Sequence, residues 1–171
     1  TMSQGVANTR IYELIEPTIK DTVTVRETYS FRGKTYPADK MGIQNYADTI
    51  KTGVCDTVYN LDLYVMPDPS VKEYYVKVNA EGNGTGSSWE NAMSGEDFAY
   101  VLPKASENTT FYIAEGSYSP IYSDDQGTMF TETGGIYYVN TSVKLIGGYP
   151  KDAVDGAVSD PEKYHTTRWR N

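Results

Sequence analysis

At 171 residues the chain is long enough for one good core or two small ones; its hydrophobic content of 39% is modest, and 16 positions are Tyr. A formal charge of −8 with scattered basic residues leaves no stripe to neutralise phosphates, which argues against nucleic acid and anionic lipid as partners. A single cysteine, Cys55, and a single histidine, His165, exclude an internal disulfide and a thiolate or multi-histidine metal cluster, and no apolar run approaches membrane-spanning length.

Residues 1–8 are small and polar and read as a loose lead-in. Arg10–Ile19 alternates imperfectly around Pro17 and is expected to form an edge strand that the proline ends. Short β-prone runs follow at Thr22–Val25, Thr28–Phe31, Thr35–Tyr36, Tyr46–Ile50 and Thr57–Val65, with Arg32-Gly33-Lys34 as a turn. In the last run Val58, Leu61, Leu63 and Val65 mark a largely inward face. Strands recurring at roughly ten-residue spacing predict a small sandwich. Pro67-Asp68-Pro69 stops the strand and stiffens the joint, dividing the chain into 1–67 and 68–171.

Three further runs, Tyr74–Val78, Thr110–Ala114 and Ser142–Ile146, are apolar at alternate positions and lie too far apart for hairpins, so crossovers or coil turns should join them. Gly82-Asn83-Gly84-Thr85-Gly86 lacks the Lys-Ser/Thr of a phosphate loop and reads instead as a wide turn that folds Trp89 back as a plug. Ser94 before Glu96 and Asp97 is an N-cap signal for a short helix with Phe98, Val101 and Leu102 on its apolar side and Pro103 at its end. Gly116 permits a sharp corner before Tyr118. Ile121–Gly135 is irregular and polar, and Asp124-Asp125 within it reads as a solvated turn in preference to a Ca²⁺ loop. Ile136–Val139 is a further strand candidate, Gly147-Gly148 a turn into Tyr149-Pro150, and the tail from Lys151 a surface loop in which Thr166–Trp169 begins a next coil.

Two stretches carry a resemblance. G-N-G-T-G-S-S-W-E-N-A from Gly82, FYIAEGSY from Phe111 and VKLIGGYP from Val143 resemble, in that order, the first coils of right-handed parallel β-helices in large bacterial surface proteins of the adhesin type. In those proteins a short helix covers the end of the β-helix. Separately, Glu27, Tyr29, Phe31, Gly33 and Lys34, then Tyr46, Asp48 and Thr49, then Cys55, Asp56 and Thr57, and finally Leu61, Leu63 and Val65 resemble the short repeat modules of such proteins. Thr24 and Arg26 stand where that pattern has cysteine and glycine, so Cys55 lacks the partner the resemblance would offer and is expected to be a buried free thiol. Together the two resemblances imply an all-β chain: a small Ig-like β-sandwich spacer, then the capped start of a right-handed parallel β-helix. They also imply an extracellular or outer-surface location, with any signal or anchor outside this stretch.

One or two coils fall short of the ~3 repeats a solenoid needs, so the chain is expected to be part of a larger protein or to be completed by another chain at its C-terminal coil edge. No nucleophile elbow accompanies His165, and the many acids do not single out a catalytic pair, so no catalytic, cofactor-binding or metal-ligating residues are assigned. Asn83, Asn108 and Asn140 head glycosylation sequons expected to be empty in a bacterial protein, and Asp21, Asp48 and Asp56 begin Asp-Thr-apolar triplets of the kind some bacteria O-glycosylate. Aromatics give the one binding expectation. Tyr118, Tyr122 and Tyr149 are candidate ligand-facing rings, since Tyr stacks on sugar faces and anchors protein partners, although strand tyrosines also serve cross-strand packing. The expected function is non-enzymatic: an elongated scaffold for adhesion or for glycan or protein binding. The alternatives are the non-catalytic front of a β-helical polysaccharide lyase or hydrolase, and a structural subunit completed by a partner chain.

Overall fold

A computed structural model describes residues 14–15, 17–51, 56–131 and 135–168. The chain is mostly strand with one short helix, an all-β-like class. The buried thiol expected at Cys55 and the Trp169 end of the expected next coil lie outside the described residues.

The first sheet is built on β6 (Asp56–Met66). Leu61, Leu63 and Val65 are buried on one face at the strand period of two, while Val58, at the opposite parity, points to the other face. β5 (Gly42–Lys51) pairs antiparallel along one edge of β6. Along the other edge run β1 (Leu14–Ile15) and β2 (Ile19–Thr24), both parallel to it. β1 stops before Pro17, as the sequence suggests, and β2 then pairs with the same edge of β6 from Ile19 opposite Leu61. β3 (Thr28–Phe31) and β4 (Lys34–Pro37) form a hairpin. Its two-residue turn, Arg32-Gly33, has positive φ at both positions (50° and 78°), the conformation that matches strand twist. The hairpin is tied to the sheet by the Tyr36–Tyr46 ring contact (4.5 Å), by Arg32 over the Tyr59 ring (3.6 Å) and by a hydrogen bond from the Tyr29 hydroxyl to Asp21. Tyr29, Phe31 and Tyr36 pack against the core from this layer.

The second sheet is parallel, in the order β12–β8–β7 (Val143–Tyr149, Thr109–Ala114, Glu73–Val76). Register aligns Tyr74, Phe111 and Leu145 in one row and Tyr75, Tyr112 and Ile146 in the next, on the opposite face. One corner further on, β9 (Gly116–Tyr118) pairs in parallel with β13 (Thr166–Arg168). Gly116 makes this corner possible: a Cβ there would stand 2.4 Å from Val78 Cγ2.

Helix α1 (Gly95–Val101) starts in a complete capping box, with Ser94 Oγ accepting from the Asp97 amide and the Asp97 carboxylate accepting from the Ser94 amide. A 3₁₀ turn through Pro103 follows it. The helix is buried on more than one side because it is wedged between the sheets. Phe98 meets Phe111, Tyr118 and Tyr137, while the Tyr100 hydroxyl approaches Met66 Sδ at 3.8 Å. Buried residues on both sides of Pro67, from Val23 to Tyr122, belong to one cluster. Ile43 bridges to Asp124, and the Asn45 amide donates to Asp125 Oδ1 (2.9 Å), adding polar links across the same junction.

Three further sequence expectations need correction. Ile136–Val139 is not a strand: among the described residues no ladder includes it, and Ile136, Tyr138 and Val139 are each about half exposed. The stretch Ile121–Gly135 is not wholly irregular, because Tyr122–Ser123 (β10) and Met129–Phe130 (β11) pair as a small hairpin around Asp124. Gly147-Gly148 does not turn the chain. The pair lies within β12 as a bulge, Gly148 at φ +84° with the Pro161 backbone where a Cβ would go, so glycine here permits close packing of the following loop.

Candidate functional site

The parallel sheet divides its aromatics by face. Inside, Tyr74 stacks on Phe111 (5.4 Å) and both are buried. Outside, Tyr75 stacks on Tyr112 (5.1 Å), and Tyr112 meets Tyr149 edge to face (6.0 Å, 88°). Trp89 closes this outer group from behind, 5.0 Å from both Tyr75 and Tyr149. Its ring is buried with Ala114 and Ala153 in a second small core, against which Tyr75, Tyr112, Tyr149 and Ala157 are only partly covered.

Local structure explains why Trp89 is there. The 82–93 loop folds back along the free edge of β7: the Tyr75 amide donates to the Gly86 carbonyl (2.9 Å), and the Met93 amide donates to the Tyr75 carbonyl (2.8 Å). The loop amides are used internally, Gly86 to the Asn91 carbonyl and Thr85 to Asn83 Oδ1, so they are not aimed outward as a phosphate cradle would be. Gly86, at φ +73°, leaves no room for a Cβ beside Met93 and Tyr74. The wide turn that plugs Trp89 into the fold is thus as expected from the sequence.

On the far side, the turn 154–157, closed by the Ala157 amide to the Val154 carbonyl (2.9 Å), brings Asp155 to the rim. The result is an open groove of about 320 Å³ lined by Tyr75, Tyr112, Tyr149, Ser87, Ser88 and Asp155, with Trp89 and Gly156–Ala157 completing its walls. The Tyr112 hydroxyl donates to Glu73 Oε1 at 3.1 Å. Partial burial, and then the Glu73 carboxylate, push the Tyr112 phenol up; burial, and then Glu73 and Asp155, do the same for Tyr75. The groove therefore offers neutral rings and the Asp155 carboxylate in its lining.

Of the three rings expected to face a ligand, only Tyr149 lines this groove. Tyr118 and Tyr122 are a correction: they are 3% and 5% exposed. The Tyr118 hydroxyl donates to the Ala114 carbonyl (3.0 Å) and its ring meets Phe98; Tyr122 packs on Tyr100 and Phe130. Burial raises the Tyr118 phenol strongly, as befits a core residue. Sequence reasoning missed Tyr75, Tyr112 and the wall role of Trp89. The available signal was that Tyr75, Tyr112 and Tyr149 stand at equal intervals in the chain, the first two directly after an inward aromatic.

A second, larger cleft of about 800 Å³ opens at the carboxyl ends of β7, β8 and β12, lined by Lys77, Glu81, Glu90, Glu115, Lys151 and Asp152 among others. Among the described residues no cluster of three or more His, Cys, Asp or Glu is placed to hold a metal ion. Asp124 serves its own turn: its Oδ1 accepts from the Gln126 and Thr128 amides. Comparison with known protein families, with curated proteins and with solved structures returned no match to this chain.

Proposed function

We propose that the chain is a non-enzymatic piece of an exported bacterial surface protein, displaying a rigid β scaffold that meets an extracellular glycan or protein through the outer aromatic groove. In this reading residues 1–67 are a small Ig-like spacer and 68–171 the capped start of a right-handed parallel β-helix. Supporting it are the all-parallel order β12–β8–β7 and the second parallel pair β13–β9, which bring the chain past the same two faces after each circuit. Helix α1, packed through Phe98 on the inner row, would serve as the cap, with the 82–93 loop bonded along β7 beside it.

The observation that carries the functional half is the partly exposed row Tyr75, Tyr112 and Tyr149 over a buried Trp89. Aromatic rings held rigid by packing give contact area at little entropic cost. The test is adhesion of beads coated with the chain to cell and matrix surfaces, comparing wild type with a Tyr75→Ala/Tyr112→Ala double variant whose fold is checked by its melt. Adhesion lost in the variant is the expected result. Adhesion unchanged in a folded variant would remove the groove from the function.

A second reading is favoured by a specific feature. Leu145, last in the inward row, is 49% exposed, and among the described residues no strand pairs with the far edge of β12. A structural subunit completed by a partner chain along this edge would cover both. Light scattering separates the readings: self-association abolished by a Leu145→Lys substitution supports the structural role, and a monomer that still adheres supports the first.

A further inference from the structure

The groove is small, about 320 Å³, near the lower end of the ~300–1,000 Å³ typical of small-molecule sites. Resting on the reading of this groove as the contact surface, we propose that its ligand is a neutral saccharide of one or two sugar units, and that anionic sugars are rejected. A sugar ring has a C–H-rich face and a rim of hydroxyls, and therefore needs an apolar plane beside hydrogen-bonding groups. The groove has both. The stacked pair Tyr75 and Tyr112, with Tyr149 set at 88° to Tyr112, lines the groove with apolar ring carbon. At the rim, Asp155 offers carboxylate oxygens to hydroxyl donors. Ser88 Oγ accepts from the Asn91 amide (3.2 Å) and side chain (3.3 Å), which leaves its hydroxyl hydrogen to donate outward.

Charge selects among sugars. Asp155 sets a carboxylate in the lining of the groove, in a chain of net charge −8, so a uronate or sialylated unit meets repulsion. A cationic guest is disfavoured by ring geometry: Tyr75 and Tyr112 face each other 5.1 Å apart rather than enclosing a space, and Trp89 already has the Lys77 ammonium 5.9 Å from its ring centre.

The experiment is a glycan array probed with the wild-type chain and with Tyr112→Ala, Tyr149→Ala and Asp155→Asn variants. The array carries neutral oligosaccharides beside their uronate, sialylated and amino-sugar counterparts, and melts confirm that each variant folds. Expected are retention of neutral glycans, a loss on the order of tenfold for each Tyr variant, and weaker neutral binding with some gain of anionic glycans for Asp155→Asn. Asp155 lies on an exposed turn, so its variant keeps the test valid if a Tyr variant fails to fold. Preference for charged sugars, neutral binding untouched by the folded variants, or no glycan bound at all would each overturn the proposal. Running the bead adhesion assay alongside separates the two claims. Adhesion that persists and still depends on the groove, without glycan binding, overturns only the saccharide; adhesion independent of the groove overturns the contact surface as well.

Discussion

Tyr74 and Tyr75 are neighbours in sequence and opposites in fate. Tyr74 is 4% exposed and joins Phe111 and Phe98 in the main core, whereas Tyr75 joins Tyr112 and Tyr149 at the surface over Trp89. The same division separates Phe111 from Tyr112 on β8. What differs is not residue type but strand parity, which turns successive side chains to opposite faces. One row holds the fold together; the other has rings to spare. Tyrosine content by itself therefore says nothing about binding until each ring has been given a face.

The sharpest way to break this division is to truncate one member of each row. Phe111→Ala empties a fully buried site and should cost about 3–5 kcal/mol in a urea melt, while Tyr112→Ala on the adjacent position should cost about 1 kcal/mol or less and act on binding instead. Equal losses from the two would erase the distinction. The corner that leads from β8 into the core is the next target. Gly116→Ala drives a Cβ toward Val78 Cγ2 and should cost about 1–3 kcal/mol, with part of that restored by adding Val78→Ala. Removing the cap with Ser94→Ala should cost about 1 kcal/mol, read as a small fall in the melting midpoint, since α1 holds Phe98 against the inner row.

The two rows should also titrate apart. Burial pushes the Tyr74 phenol from 10.0 up to about 12. A group raised in the folded state favours folding fully below its unfolded value and loses that contribution as pH climbs through its folded value, so the inner row should weaken the fold between pH 10.0 and about 12. Phenolate absorbance followed against pH should show a late, cooperative step with unfolding, and Tyr74→Phe should move the alkaline transition upward. An alkaline transition unmoved by that substitution would mean that Tyr74 does not set it.

Much of the local structure was legible in the sequence. The alternation of Leu61, Leu63 and Val65 marks the buried face of β6, and Ser94 with Asp97 marks the helix start. What was not legible depended on partners distant in the chain. Ile136–Val139 has strand residues but, among the described residues, no strand beside it, and the Gly147-Gly148 bulge is defined by its pairing with β8. Tyr118 and Tyr122 lie beyond the alternating run of β8, where a corner and a short hairpin decide which way a ring points. Tyr149 was reachable from the sequence through its equal spacing from Tyr112 and Tyr75, and it alone of the three expected rings lines the groove.

The most direct test of the outer row as the contact surface is oxidative footprinting of the chain, free and bound to a surface it adheres to, with modified residues mapped by mass spectrometry. The predicted result is that Tyr75, Tyr112 and Tyr149 are modified in the free protein and protected on binding, while Tyr74, Tyr118 and Tyr122 stay protected in both. Protection that appears instead along residues 143–146, with the groove tyrosines unchanged, would contradict it and place the contact at the outer edge of β12.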